Sequence, residues 1–431
     1  MRIGTTVLFL ACLISLAGCV TQSRKPPPPT LISNAVPIGF DAGIRIVTTD
    51  RYRFFTISPP IIEGLRRAAH GNPVNILALS GGGSGGAFGA GALAGLTQAH
   101  QRPDFQLVTG VSAGALIAPF AFLGSSWDGA LQDAFGGERS YLLHSPTSSF
   151  VARLLLPSGL GSGGRLYQLV DHFVTPQMVA DVAAETSKGR RLIVATTDLD
   201  KRETVLWDMG VIAAHGGDAA RQLFRDVLVA SASVPGMFPP VIIHVSDGDH
   251  AYDELHVDGS VTTPLFITPL VADVVSTSLD QLNGSNVYVI VNGQLASPPH
   301  ETSLQTTALL GKSFSAQLMY KTKETIALID SVTREHHMRL RIAVIPADYP
   351  GHSFADFRPK SLRRLFDYGA GCASRGLLWA TIVQGIRRDQ AEAIADEHAA
   401  ASCPGSEATP SGPDDESGPA RAVSSPDPPS Q

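Results

Sequence analysis

Short apolar runs of strand length alternate with longer segments of helical periodicity along most of the chain. Asn75–Leu79, Phe105–Thr109, Leu192–Thr197, Val241–Val245 and Val287–Val291 predict β-strands; Ala87–Ala99, Ala113–Leu123, Ala219–Val229 and Ser313–Val332 predict helices. This alternation favours an α/β architecture with a largely parallel sheet, because parallel neighbours need helical crossovers. No linker-like composition interrupts residues 41–403, which predicts one folded body, with the Gly- and Ser-containing stretch Pro157–Gly164 as a loop or lid.

The chain ends read differently. Arg2 precedes the apolar run Val7–Leu16, too short to span a bilayer, and Leu16-Ala17-Gly18-Cys19 follows. Residues 1–18 therefore read as a signal peptide, residues 16–19 as a lipobox, and Cys19 as the lipid-attachment residue. Val20 stands where an inner-membrane retention signal commonly places Asp, so the expected location is the outer membrane of a bacterial envelope, facing the periplasm. Residues 19–40 include Pro26–Pro29, expected to form a stiff spacer holding the body off the bilayer. Residues 404–431, rich in Pro, Ser, Gly and acidic side chains, predict a disordered tail.

Composition narrows the function classes. The chain has 431 residues and a thinly spread net charge of −6, which argues against a nucleic-acid surface and an electrostatic grip on anionic bilayers. Membrane contact is accordingly expected through Cys19. Of the four cysteines, Cys372 and Cys403 would remain in the exported body, where a disulfide or two free thiols are both open.

The candidate chemistry begins at Gly110-Val111-Ser112-Ala113-Gly114. An apolar strand running into G-x-S-x-G and then a helix predicts a nucleophile elbow: Gly110 and Gly114 leave room for a strained turn that presents Ser112 at a helix N-terminus. Upstream, the predicted strand Asn75–Leu79 leads into Ser80 and then Gly81-Gly82-Gly83-Ser84-Gly85-Gly86 and an apolar helix, so unhindered amides can face a phosphate or a developing oxyanion. Gly81, Gly83 and Gly86 also fit a dinucleotide fingerprint. That rival requires an acid at the end of the next strand, whereas Asp104 precedes the strand and the serine motif ends it; a Lys-Ser/Thr pair for an ATP loop is also missing. Gly81, Gly82 and Gly83 are therefore expected to form an oxyanion hole.

Asp-Gly occurs at Asp128, Asp247 and Asp258. Asp247-Gly248 separates two apolar runs and suits a hairpin turn, whereas Asp258 follows the second run and is the candidate base. A Ser-Asp-His relay would draw on His300, His336, His337, His352 or His398, none in a recognisable setting, and Glu335-His336-His337 lacks metalloprotease spacing, so no metal or other cofactor is expected.

Taken together, the blocks Leu79–Gly91, Gly110–Gly114, Ala230–Pro240 and Val257–Ser260 resemble, in order, the motifs of patatin-like phospholipases over roughly residues 75–291. The resemblance implies a three-layer α/β/α fold, a Ser112–Asp258 dyad without histidine, and hydrolysis of fatty-acyl esters of lipids. Two positions depart from the pattern: Gly85 stands where many members carry Arg or Lys, and Ser260 where Gly or Ala is usual. The alternative reading is a catalytically weak or inactive envelope lipoprotein that binds lipid or a partner on the same fold.

Overall fold

The protein was analysed as a computed structural model that describes residues 24–28, 35–47, 51–140, 163–267, 279–296, 301–351, 353–381 and 402–406. Cys19, the signal peptide and most of the expected Pro157–Gly164 lid and C-terminal tail lie outside these residues. In chain order the strands are β1 (Val36–Pro37), β2 (Arg45–Val47), β3 (Asn75–Leu79), β4 (Leu107–Val111), β5 (Arg191–Asp198), β6 (Glu203–Asp208), β7 (Val241–Ser246), β8 (Ala251–Asp258), β9 (Asn286–Val291) and β10 (Arg339–Val344). The helices are α1 (Arg51–Ala68), α2 (Gly86–Gln98), α3 (Ala113–Leu123), α4 (Asp128–Phe135), α5 (Gly163–Phe173), α6 (Pro176–Ser187), α7 (Met209–His215), α8 (Gly217–Ser231), α9 (Thr306–Glu335) and α10 (Pro359–Ser374).

The sheet is mixed and covered by helices on both faces. Strands β10, β9, β3, β4 and β5 are mutually parallel, the part that the apolar runs anticipated. The antiparallel strands β6 and β2 extend it beyond β5. Alternation carries successive side chains to opposite cores: Leu77 and Leu79 of β3 enter one, Ile76 and Ala78 the other, giving three α/β/α layers.

The join between β4, β5 and β8 sets up the site. Strand β4 occupies one edge of β5 from Arg191 to Ala195 and then leaves at the serine turn. Because β6 fills the other edge from Ile193 to Asp198, β8 must take the vacated edge, pairing antiparallel with Thr196–Asp198. Two strand ends, Val111 and Asp258, thus meet against the same neighbour. The β7–β8 hairpin turns through Asp247 and Gly248, whose main-chain and side-chain hydrogen bonds make an ordinary surface turn.

Helix α2 packs under the glycine loop and against α10 with almost no separation. A Cβ on Gly91 would stand 2.0 Å from the Phe366 carbonyl oxygen, and one on Gly95 would stand 2.2 Å from that of Ala370. A disulfide joins Cys372 of α10 to Cys403, which resolves the choice left open between a bridge and free thiols. Helix α3 runs through Pro119 to Leu123. Arg102 and Arg190 cap its far end, donating to the carbonyls of Phe120 and Phe122.

The described part of the Pro-rich segment does not stand away from the body as a spacer. Arg24 pairs with Asp200 through both guanidinium nitrogens, and Lys25 donates its N–H to Asp253 Oδ2 while its carbonyl accepts the Asp253 N–H. Among the described residues no helix is long and apolar enough to cross a membrane.

Candidate active site

Ser112 sits on the turn between β4 and α3 with φ 54° and ψ −125°, a conformation that costs a side-chain-bearing residue roughly 1–3 kcal/mol. Small neighbours make it possible. A Cβ at Gly110 would meet the Gly114 carbonyl oxygen at 2.6 Å, and one at Gly114 would meet that of Leu79 at 2.4 Å. The elbow is thereby pressed against the end of β3, with its serine at the positive end of α3.

Ser112 Oγ donates to Asp258 Oδ2 at 2.5 Å, across 146 residues of sequence. The other carboxylate oxygen, Oδ1, accepts the Ser260 N–H at 2.7 Å. Asp258 is fully buried and has no cationic partner among the described residues; burial pushes its pKa up to about 6, against the smaller opposing pull of the Ser112 and Ser260 hydrogen bonds. A carboxylate so placed is a far stronger base than one in water.

A segment not assigned a role from sequence holds both members. Ser231, at the end of α8, accepts the Ser112 N–H at 3.0 Å and donates its own hydroxyl to the Ala195 carbonyl at 2.7 Å. Two residues on, the Ser233 carbonyl accepts the Asp258 N–H at 3.0 Å. The Ala230–Pro240 block was visible as a motif, yet nothing local in it signals which serine touches which strand.

The glycine loop corrects one expectation. The Gly81 N–H donates to the Pro264 carbonyl at 2.9 Å and is spent on structure, so Gly81 is not an available oxyanion donor. Its contribution is a missing side chain, since a Cβ there would lie 2.2 Å from Ser260 Oγ and 3.2 Å from Ser112 Cβ. This vacancy also accommodates the serine at position 260. Gly82 and Gly83 remain as donors: among the described residues their N–H groups have no hydrogen-bond partner. Asn292 fixes the strand end beneath them, donating to Ser80 Oγ and to the Ser80 carbonyl at 2.9 and 2.7 Å.

A cavity with an empty volume of about 890 Å³, its open mouth included, starts at Gly83, Ser84 and Ser112. It continues along Leu116 and Phe120 of α3 to Leu166, Leu169 and Phe173 of α5, Met178 of α6 and Leu228 of α8, with no charged residue in its lining. Gly85 is buried at the loop, and the cavity gains no cation there.

Of the histidine candidates, the two that are described are not brought to Ser112. His336 is buried beside Asp280, His337 follows it at the end of α9, and His300, His352 and His398 lie outside the described residues. His256 is two residues from Asp258, but Thr196 and Glu254 occupy its two ring nitrogens. Among the described residues no group of three or more His, Cys, Asp or Glu side chains could hold a metal ion.

Residues 77–271 match the family model described as Patatin-like phospholipase. Among solved structures, VipD from Legionella pneumophila is 10% identical, with 70% of this chain and 67% of that one covered and a TM-score of 0.30. Human GIVD cytosolic phospholipase A2 is 11% identical over 61% of this chain and 50% of its own, TM-score 0.26. The type III effector protein ExoU is 15% identical over 70% of this chain and 53% of its own, TM-score 0.25, so this chain spans about half of each of the latter two. No curated protein matches the chain.

Proposed function

Because residues 77–271 match the patatin-like phospholipase family model, we propose that the protein is a serine acyl hydrolase cleaving fatty-acyl esters of lipids through Ser112 and Asp258. The observation that carries this reading is the 2.5 Å hydrogen bond from Ser112 to a buried carboxylate at the head of a predominantly apolar cavity.

Each step has a group in place for it. Asp258 takes the hydroxyl proton as Ser112 Oγ bonds to the ester carbonyl carbon, and the carbonyl electron pair moves to the oxygen. Gly82 and Gly83 amides, with the α3 dipole behind Ser112, stabilise that oxyanion. Collapse breaks the bond to the alcohol, which leaves with the proton from Asp258, and the acyl chain stays in the cavity on Ser112. Asp258 then takes a proton from water as the water oxygen attacks the acyl carbon, and returns it to Ser112 Oγ as the acyl–serine bond breaks, releasing the fatty acid and the free serine.

A fluorophosphonate probe should label the wild-type protein and leave Ser112→Ala unlabelled; equal labelling of both would end the proposal. A lipid group on Cys19, placing the enzyme on the periplasmic face of the outer membrane, completes the reading. Radiolabelled palmitate incorporation that disappears in Cys19→Ser tests that part separately.

A further inference from the structure

Helix α9 is much longer than the sheet it crosses. Its 30 residues span roughly 45 Å, while the six-residue strand β10 that follows spans only about 20 Å. The helix leaves from the end of β9 and returns to the start of β10, so its C-terminal half lies over the sheet, with Thr322, Ile326, Ile329 and Thr333 buried. Before Thr322 no described side chain of the helix is buried, and about 24 Å of helix overhangs the edge where β3 and β4 end in the catalytic loops.

That overhang is apolar and basic at once. Leu310 and Tyr320 are 60% and 63% exposed, and Leu304 just before the helix is 90% exposed. Lys312 and Lys321 lie on the overhang and Lys323 just beyond it, and no acidic residue occurs in residues 302–323, although the chain as a whole is negative. The overhang also adjoins the acyl cavity, because the Phe314 ring meets that of Phe354, a cavity-lining residue whose carbonyl holds the Ser84 amide. Arg24, five residues from Cys19, is held at Asp200, just past the end of β5 on the same edge of the sheet. Five residues reach at most about 17 Å.

We propose that the projecting half of α9 is a membrane-contact device: Leu304, Leu309 and Leu310 enter the outer part of a phospholipid bilayer, the lysines meet its headgroups, and the cavity opens onto the lipid surface. This is the composition of an interfacial helix, with leucines to bury and cations for anionic lipid. It rests on the hydrolase reading for its purpose and names the substrate source as lipids of a bilayer.

The test uses full-length protein and vesicles of phosphatidylcholine mixed with phosphatidylglycerol. In Leu310→Trp, vesicles should add a blue-shifted emission component absent from the parent, quenched by lipids brominated near the top of the acyl chain. Leu309→Gln/Leu310→Gln should hydrolyse vesicle phospholipid at least tenfold more slowly while cleaving a soluble short-chain ester at the parental rate. An unshifted, unquenched indole overturns the proposal, as does equal loss on both substrates, which would make the leucines structural. A shifted, quenched indole in a protein that hydrolyses neither substrate supports the membrane surface and removes the hydrolase reading instead.

Discussion

Glu254 and Asp258 stand four residues apart on the same face of β8, both buried, and their carboxyls are driven in opposite directions. Burial alone would raise both. At Glu254, hydrogen bonds and charge from His256 and Arg45 outweigh it and hold the carboxyl far below its ordinary value, whereas Asp258 has only neutral donors and rises to about 6. One strand thus carries one carboxyl held toward its ionised form and another whose pKa is raised toward neutrality.

The acid limb of the pH profile follows from the second of these. In the proposed mechanism ionised Asp258 accepts the Ser112 proton, so kcat/KM on a soluble ester should fall about tenfold per pH unit below a midpoint near 6. A profile flat from pH 8 down to pH 4.5 would show that another group is the base.

The same shift has a stability cost. A carboxyl raised from 3.8 to about 6 keeps its proton in the folded protein at pH values where the unfolded chain has lost it. Stability contributed by this group is therefore greatest below pH 3.8 and declines as pH rises through 3.8–6, to a loss of about 3 kcal/mol above that window. Asp258→Asn should abolish turnover yet raise the denaturation midpoint at pH 8, with the gain shrinking toward pH 4.

Ser231 is a positioning residue whose loss strands two buried groups, the Ser112 N–H and the Ala195 carbonyl. Ser231→Ala should lower stability by roughly 1–3 kcal/mol and kcat by ten- to a hundredfold with little change in KM. Calorimetry beside steady-state kinetics separates the two effects. Unchanged kcat in a destabilised protein would assign Ser231 to the fold alone.

Acyl-chain preference should be tunable from α3. Leu116 lines the cavity about one helical turn beyond Ser112, so Leu116→Trp should block long chains early. Hydrolysis of dodecanoyl esters is expected to drop at least tenfold while butyryl esters remain good substrates, measured as kcat/KM across a chain-length series.

The disulfide closes a loop between residues 31 apart. Breaking it by Cys372→Ser should cost about 3–4 kcal/mol, read as a lowered denaturation midpoint. Because the bridge anchors α10, which packs on α2 under the oxyanion loop, turnover should become more heat-sensitive as well.

What the sequence by itself determined was local. Strands buried on both faces appear as unbroken apolar runs, so β3 was legible to the residue, and the glycine turns around Ser112 and at residues 81–86 declare their backbone needs through residues that lack a Cβ. Strand β4 was read two residues early, at Phe105–Thr109 instead of Leu107–Val111, because Gly110 looks like a turn although it is paired with Val194. Helix α1 was missed, since Pro59 and Pro60 inside it resemble a break. Only the tertiary structure decided that β8 takes the edge of β5 vacated by β4, that Pro264 occupies the Gly81 amide, that Ser231 holds the elbow, and that α9 buries no described side chain before Thr322. Those facts depend on register and on pairings between residues tens to hundreds of positions apart, which leave no periodic trace in either partner alone.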